Sequence, residues 1–394
     1  MSGVTSDLRA PLVAGADDLD ALRTRLVGLG RAPTPGDVAA AMRAEGRLVS
    51  DTSLVQTLDA LRRGSVGAGP LEPLLHEPGV TDVLVNGPDQ VFVDRGAGLE
   101  LCPVRFESDE EVRRLAQRLA ASVGRRLDDA APFVDARLPD GTRVHAVLGT
   151  VATPGTCLSL RVPASRTFTL ADCVASGSLT AAGAQVLERV IAAKSAFLIS
   201  GGTGSGKTTL LAALLALVPS DQRIVIVEDS RELSPNHPHV VRMEGRPMNT
   251  EQAGAITLTD LVRHSLRMRP DRLVVGEVRG AEIADLLAAM NTGHEGGCGT
   301  VHANSAADVP ARLEALAALG GLGRDALHAQ LASALQVLVH ITRRERGPRR
   351  VEGISVLERD PVSGLVETVP ALLFAPDGRT QIGPGGDRLE RLLA

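Results

Sequence analysis

The sequence predicts an α/β protein with a doubly wound, mostly parallel sheet in its second half and a smaller α+β domain before it. In the second half, short apolar strand candidates alternate with helices, which is typical of parallel sheets joined by helical crossovers. In the first half, strands follow one another through tight turns instead. The strand candidates of the second half are Ala196–Ser200, Arg223–Val227, Leu273–Gly276 and Gly299–His302, with helices starting at Gly206, Thr257 and Ala281.

The smaller domain begins with a strand–turn–strand pattern. Val83–Val85 and Val91–Val93 flank the turn residues Asn86–Pro88. Ser108 then opens an amphipathic helix, and later strands flank an Asp140-Gly141 turn. We therefore expect a helical extension at residues 1–60, an α+β domain at 61–162, a linker at 163–180, and the larger domain at 181–394 with a loose Gly- and Pro-rich tail after Asp360.

The composition argues against a nucleic-acid binder. The 394 residues include 42 Lys plus Arg and 47 Asp plus Glu, so the net charge is −5. A mildly acidic chain has no bulk electrostatic attraction to nucleic acid or anionic lipid. The chain has no Trp, no Tyr and only six Phe, so it lacks the rings on which single-strand binders stack bases. Only two of its basic residues are lysines, Lys194 and Lys207.

The sequence also indicates the compartment. Its four cysteines are widely spaced, which disfavours a disulfide scaffold and excludes a four-cysteine zinc knuckle. Residues 1–10 lack the pattern of a signal peptide. The longest apolar stretch, Leu210–Val218, is about half the length of a bilayer crossing. We therefore expect a cytoplasmic protein that reaches a membrane only through a partner.

One octapeptide carries the strongest signal. Residues 201–208 read Gly-Gly-Thr-Gly-Ser-Gly-Lys-Thr and match G-x-x-x-x-G-K-[ST] between an apolar strand and a helix. The glycines let backbone N–H groups turn toward phosphate oxygens at the positive end of the helix. Lys207 can reach the β- and γ-phosphates, and the Thr208 hydroxyl can ligate Mg²⁺. The predicted nucleotide-binding residues are Gly201, Gly202, Thr203, Gly204, Ser205, Gly206, Lys207, Thr208 and Thr209.

Two of the predicted strands end in carboxylates. Glu228 and Asp229 end one strand, and Glu277 ends another. Carboxyl ends of strands face the ligand crevice in a doubly wound sheet. One of these acids can hold Mg²⁺ and another can orient the attacking water, so we predict catalytic roles for Glu228 and Glu277. The predicted metal ligands are Thr208, Asp229 and Glu277, and the alternative is that these are solvated acids at strand ends.

Two histidines lie near a glycine-rich segment farther along the chain. His294 and His302 flank Cys298, which suggests a zinc site as one interpretation. The intervening glycines indicate a turn and not a ligand-presenting helix. A polar sensor near the γ-phosphate therefore fits His302 better.

Taken in order, these motifs resemble the secretion-ATPase superfamily, the motors of type II and type IV secretion, pilus assembly and conjugal transfer. The amino-acid sequences of these motifs are most similar to those of the Tad/Cpa branch, which assembles Flp-type pili. The resemblance covers about residues 70–355. It is carried by residues 201–209, Ile226–Asp229, Leu266–Gly280, Ala289–His294 and Thr300–Ser305.

The resemblance implies a homohexameric ring that binds ATP and Mg²⁺ between a PAS-like N-terminal domain and a RecA-like domain. Lys207 and Thr208 would form the Walker A site, and Glu277 would be the Walker B acid. Glu228 and Asp229, with Glu232 nearby, correspond to the Asp box, and His294 and His302 correspond to the His box. Arg143 and Arg161 match segments that carry phosphate-contacting arginines and are candidates for stabilising the transition state; their alternative is as ordinary surface arginines.

We therefore expect an ATP-hydrolysing motor that pushes on an integral membrane platform protein of a pilus or secretion machine, at the inner face of the membrane. A DNA-associated conjugation or recombination ATPase is the first alternative. The basic run at residues 343–350 would serve it, although this run is more simply a solvated hairpin edge. A scaffold that binds nucleotide without turnover is the second alternative.

Overall fold

The chain divides into two compact units, Met1–Ala164 and Ser165–Ala394, in the computed structural model of the protein. The structure describes residues 22, 25–26, 34–46, 49–50, 53–54, 57, 67–96, 98–163, 168–246, 248, 254–293, 295–343, 349–375 and 377–394.

The first unit contains one sheet. Its six antiparallel strands have the order β3-β2-β1-β6-β5-β4, and one face packs on the helix α3 around a core that includes Val85, Leu115 and Leu160. The helices and strands of this unit are α1 (Pro35–Ala44), a 3₁₀ turn (Gly69–Leu71), α2 (Glu72–Leu75), β1 (Asp82–Asn86), β2 (Val91–Asp94), β3 (Leu99–Leu101), α3 (Asp109–Ser122), β4 (Phe133–Arg137), β5 (Arg143–Val147) and β6 (Cys157–Arg161).

Helix α1 lies within the predicted helical extension. It begins directly after Thr34, whose hydroxyl accepts from the amide of Asp37 while the Asp37 carboxylate accepts from the amide of Thr34. Pro35 occupies its first position, where a missing N–H is harmless, so this proline starts a helix. Most of residues 1–60 lie outside the described part of the chain.

The second unit contains a nine-stranded sheet of order β15-β14-β13-β12-β7-β11-β10-β8-β9. The six strands from β12 to β9 are parallel, and β13, β14 and β15 add an antiparallel edge. Its strands are β7 (Phe197–Ser200), β8 (Ile224–Glu228), β9 (Val240–Glu244), β10 (Arg272–Val278), β11 (Cys298–Val301), β12 (Val337–Arg343), β13 (Arg349–Arg359), β14 (Val366–Phe374) and β15 (Thr380–Ile382).

Helices cover both faces of this sheet. They are α4 (Leu170–Ala175), α5 (Ala181–Ala192), α6 (Lys207–Leu215), α7 (Leu258–Ser265), α8 (Glu282–Met290), α9 (Val309–Leu319), α10 (Arg324–Ala334) and α11 (Gly386–Leu392), with a 3₁₀ turn at Leu266–Met268. One core joins α4, α5, α6 and α11 to one face of the sheet, and a second joins α7, α8, α9 and α10 to the other. The predicted doubly wound, mostly parallel architecture is confirmed.

Two of the predicted irregular segments contain regular structure among their described residues. The segment predicted as a linker contains α4, which Thr169 and Asp172 cap reciprocally through side-chain and backbone hydrogen bonds. The segment predicted as a loose tail contains β14, β15 and α11. Despite its glycines and prolines, this tail buries Val366, Ala371 and Leu389 against the main core. Tertiary burial therefore outweighs local composition here.

Among the described residues, no helix combines the length and the apolarity that a membrane crossing requires.

Candidate functional site

The predicted phosphate loop joins β7 to α6. All four residues of β7 are buried, and the loop leaves the sheet at its carboxyl edge, where α6 begins at Lys207. Gly204 and Gly206 have φ values of 68° and 99°, a left-handed conformation that favours glycine. A Cβ on Gly201 would lie 2.1 Å from the carbonyl oxygen of Ile341. The glycines are therefore required both for the turns and for the close approach of β12.

Lys207 is buried inside this loop. Its Nζ donates to the carbonyl oxygens of Gly201 and Gly202, at 3.0 and 2.9 Å. Burial lowers the pKa of Lys207, and the nearby Glu277 and Glu232 oppose that shift. The ammonium is thus held where the loop closes, in the position from which a phosphate-loop lysine meets a nucleotide.

Glu277 lies at the centre of the polar cluster beside the lysine. Its Oε1 is 2.8 Å from Nε2 of His302, and its Oε2 accepts from Nη2 of Arg279 at 2.6 Å. Nζ of Lys207 is 3.5 Å from both ring nitrogens of His302. Burial opposes ionisation of Glu277, but the Arg279 hydrogen bond and charge, with His302 and Lys207, lower its pKa below the usual range. Glu277 is therefore a carboxylate at neutral pH.

Two of the predicted magnesium ligands, Thr208 and Asp229, have charged neighbours. The Thr208 hydroxyl is 3.5 Å from Oε2 of Glu232, and Oδ2 of Asp229 is 3.8 Å from Nη1 of Arg279. Arg279 thus brings Asp229 together with Glu277. Hydroxyl and carboxylate oxygens are the donors that Mg²⁺ takes, so the donor set fits this ion. In the described part of the chain, no group of three His, Cys, Asp or Glu residues forms a metal site by itself.

Glu228 has a different environment from Glu277. It is buried, and its Oε1 accepts from the backbone amides of Glu232 and Leu233, both at 2.9 Å. A Cβ on Gly276 would lie 2.5 Å from its Cγ. Glu228 therefore stabilises the turn after β8. Its catalytic role stays a prediction.

His302 follows β11 directly. Burial and the charge of Lys207 lower its pKa from the usual 6.5 more than Glu277 raises it, so the imidazole is neutral at pH 7. His294 lies outside the described residues. Cys298 starts β11, where burial raises the pKa of its thiol to about 12. Cys298 and His302 are four residue steps apart along extended chain, about 13 Å, so they cannot share one zinc ion.

Arg143 and Arg161 lie in the first unit, opposite each other on β5 and β6. Nε of Arg161 donates to Oδ1 of Asp82 at 3.0 Å. On β4, Arg137 lies opposite Arg143, so three arginines occupy one row across the sheet. Arg137 was not singled out from the sequence, although it belongs to the same strand–turn–strand segment.

Two other arginines of this site were missed. Arg279 follows Glu277 by two residues, and its role depends on the adjacency of β8 and β10. Arg349 starts β13, and its Nε donates to the carbonyl oxygen of Gly204 at 3.0 Å. The sequence predicts Arg349 as part of a solvated hairpin edge. The strands β12 and β13 do pair here, with Arg343 opposite Arg349, but Arg349 contacts the phosphate loop.

A small cleft, open to solvent, lies beside the start of α6. Its walls are mainly apolar, with serine hydroxyls and a guanidinium at the margin. The residues that line it are Phe168, Cys173, Ser176, Ser178, Leu179, Gly206, Thr209, Leu210, Ile341, Arg349 and Val351. Thr209 therefore lies between this cleft and the phosphate loop.

Comparison with known proteins gives consistent results. Residues 65–357 match the family described as type II/IV secretion system protein. A Mycobacterium tuberculosis protein named "Putative conjugal transfer protein" is 55% identical over 328 residues, 82% of this chain and 93% of that protein. VirB11 of the Brucella suis type IV secretion system is 31% identical over 301 residues, 69% of this chain and 83% of its own.

Solved structures show the same fold. The Yersinia pseudotuberculosis ATPase DotB superposes with a TM-score of 0.53 at 18% identity, covering 77% of this chain and 80% of DotB. The pilus retraction motor PilT with bound ADP gives 0.51 at 21% identity, covering 72% and 81%. The expectation of a RecA-like domain preceded by a smaller domain is confirmed. Family membership implies nucleotide binding, and the chain belongs to the type II/IV secretion system protein family.

Proposed function

We propose that this chain is an ATP-hydrolysing motor of a pilus-assembly or secretion machine of the Tad type. One observation carries the proposal. At the carboxyl edge of one parallel sheet, the imidazole of His302 lies 2.8 Å from the carboxylate of Glu277 and 3.5 Å from the ammonium of Lys207. A loop that only held a phosphate would not need an ionised acid bonded to a neutral histidine next to its lysine.

The loop would bind the triphosphate through its own groups. The backbone amides at the start of α6 point toward the ligand, and the helix end favours negative charge. Lys207 would exchange its bonds with the Gly201 and Gly202 carbonyls for the β- and γ-phosphate oxygens. Its depressed pKa rises again on contact with phosphate, so the ammonium stays protonated.

Magnesium would neutralise developing charge on the phosphates when it is bound. Thr208 is the residue that would hold it directly, with Asp229 and Glu277 accepting hydrogen bonds from its water shell. Glu232, 3.5 Å from the Thr208 hydroxyl, would orient that hydroxyl.

Glu277 is the better placed of the two predicted catalytic acids to orient the attacking water. It is ionised and partly exposed, whereas Glu228 is buried and engaged with two backbone amides. The neutral His302 would act as the γ-phosphate sensor. It is hydrogen-bonded to Glu277 and also faces Lys207, the residue that would contact the γ-phosphate. Arg279 would hold Glu277 and Asp229 in place.

Arg143 and Arg161 would stabilise charge on the transferred phosphoryl group in a homohexameric ring. Arg143 and Arg161 lie opposite each other on β5 and β6, so both guanidinium groups could contact one anion. The ring would work at the inner face of a membrane and push on an integral membrane platform protein. Relatives named for conjugal transfer and type IV secretion support a role in such a machine.

The test is Mg-dependent ATP hydrolysis by the purified chain and by Glu277→Gln. We expect a loss of at least about 100-fold in kcat with ATP binding retained, because the neutral amide cannot orient water as a carboxylate does. Glu358→Gln is the matched control. Glu358 lies on β13 of the same sheet and also faces an arginine, Arg388 of α11. Equal activity of wild type and Glu277→Gln would overturn the site assignment.

Three further measurements test the ring and the two alternative functions. A particle mass of about six times the 41.1 kDa chain in the presence of ATP supports the hexamer. Hydrolysis that rises with DNA and falls steeply with salt would favour a nucleic-acid motor. Tight ATP binding without phosphate release, even with the membrane partner present, would favour a scaffold.

A further inference from the structure

Arg349 contacts the phosphate loop from a strand that is remote in sequence. Its Nε donates to the carbonyl oxygen of Gly204, at 3.0 Å. Its aliphatic part packs on the other side of the same turn, since a Cβ on Gly206 would lie 3.1 Å from the Arg349 Cδ. One side chain thus contacts both left-handed glycines that shape the loop.

The same side chain lines the cleft beside the loop. Gly206 and Thr209 form the part of the cleft nearest the phosphates, while Phe168, Leu210 and Val351 supply apolar walls. The cleft is lined by residues of β12 and β13, on one side of β7, whereas Glu277 and His302 come from the ends of β10 and β11, on the other side. A ligand that fills both places would have a polyphosphate on the loop and a flat, mostly apolar group in the cleft.

We propose that Arg349 is a positioning residue for the nucleotide. It holds the Gly204–Gly206 turn in its phosphate-binding shape and forms the polar margin of the cleft that takes the nucleoside end of the ligand. The inference rests on the nucleotide binding of the proposed function and adds a residue of the antiparallel edge to that site.

The position of Arg349 predicts which kinetic constant it controls. It contacts the loop away from the groups placed for γ-phosphate cleavage, so it should support ATP and ADP equally. An interaction of equal strength in the ground state and the transition state changes KM and leaves kcat unchanged. A guanidinium also fits the position of Arg349 better than an ammonium would. Its planar group can donate to a carbonyl oxygen and line the cleft at the same time.

The experiment compares Arg349→Ala and Arg349→Lys with Arg359→Ala. Arg359 is the matched control because it lies on the same strand and its Nε also donates to a glycine carbonyl, that of Gly364 at 2.9 Å. For each full-length variant, competition against a fluorescent ADP analogue gives Kd for ATP and ADP, steady-state hydrolysis gives KM and kcat, and thermal unfolding gives Tm.

We expect Arg349→Ala to raise Kd for ATP and ADP about 10-fold each, the size of one lost charged hydrogen bond, with kcat within about two-fold of wild type. Arg349→Lys should recover only part of the loss, and Arg359→Ala should bind as wild type does. If Arg349→Ala fails to fold, Arg349→Lys with an unchanged Tm decides by the same criterion. A Kd equal to that of Arg359→Ala, or a fall in kcat at constant KM, overturns the inference while nucleotide hydrolysis by wild type stands. Absence of nucleotide binding by wild type overturns both proposals.

Discussion

Nε2 of His302 lies 2.8 Å from Oε1 of Glu277, across the gap between the carboxyl ends of the neighbouring strands β11 and β10. The two side chains come from segments 25 residues apart and meet only because these strands are adjacent and parallel. A neutral imidazole donates through this nitrogen to the carboxylate. The pair therefore carries one negative charge next to the ammonium of Lys207.

The first prediction concerns the protonation of His302. Burial and Lys207 keep its pKa below 6.5, so the folded chain resists protonation that the unfolded chain accepts. The free energy of unfolding should therefore fall as pH drops below 6.5, and this contribution should be complete once the folded pKa is passed. Imidazole NMR resonances of histidine-labelled protein should include one that titrates below 6.5 and disappears in His302→Asn. Titration of that resonance at 6.5 or above would contradict the prediction.

The second prediction uses two neighbouring glycines of the phosphate loop. Gly201→Ala should abolish measurable ATP binding, because its Cβ would lie 2.1 Å from the Ile341 carbonyl oxygen and force the loop away from β12. Gly202→Ala should bind within a few-fold of wild type, because nothing lies within 4 Å of a Cβ there. Equilibrium ATP binding with thermal unfolding as a fold check is the measurement. Equal loss in both variants would contradict this steric account.

The third prediction concerns Arg279, which bonds to Glu277 and faces Asp229. Arg279→Ala should raise the pKa of Glu277 and leave its carboxylate poorly held, lowering kcat about 10- to 100-fold with little change in ATP affinity. Arg263→Ala is the control, because Arg263 of α7 donates a similar hydrogen bond to Asp285 of α8 in the same unit. The prediction fails if both variants keep the wild-type kcat, or if Arg279→Ala loses ATP affinity and keeps kcat.

The fourth prediction concerns stability at the turn before β11. Gly296 has a φ of 71°, and a Cβ there would lie 2.1 Å from Nη1 of the buried Arg272. Arg272 donates to Gln222 and to the Ile191 carbonyl at the end of α5, so it has no room to move. Gly296→Ala should lower the free energy of unfolding by about 2–4 kcal/mol.

Gly293→Ala isolates the clash, because Gly293 also has a positive φ, 96°, but nothing lies within 4 Å of its Cβ position. It should cost only about 1 kcal/mol of backbone strain. Urea unfolding of both variants measures the difference. If Gly296→Ala costs no more than Gly293→Ala, Arg272 is not a fixed part of the core.

The part of the site that the sequence predicts is the part carried by contiguous residues. The phosphate loop, its flanking strand and the acids at strand ends each appear within a few residues of one another. Strand and helix alternation then places these acids at one edge by topology alone. This is why the sequence alone predicts Lys207, Glu277 and His302 as residues of one site.

The rest of the site depends on strand order, which no local pattern encodes. Arg349 lies 145 residues from Gly204, and they meet because β12 enters the sheet beside β7 and carries β13 with it. Glu228 and Glu277 are equivalent as strand-end acids in the sequence. Only the turn after β8, which folds back over Glu228, distinguishes them.

The place of β7 in its sheet has a consequence for biosynthesis. Both neighbours of this strand come later in the chain, β11 about 100 residues on and β12 about 140 residues on. A nascent chain that has left the ribosome up to residue 290 contains the complete nucleotide motif, but the strand before that motif has neither neighbour. Such a chain should not bind ATP, and the motif should become functional only when residue 343 has also left the ribosome. Nucleotide capture by stalled chains of increasing length would therefore appear late and abruptly.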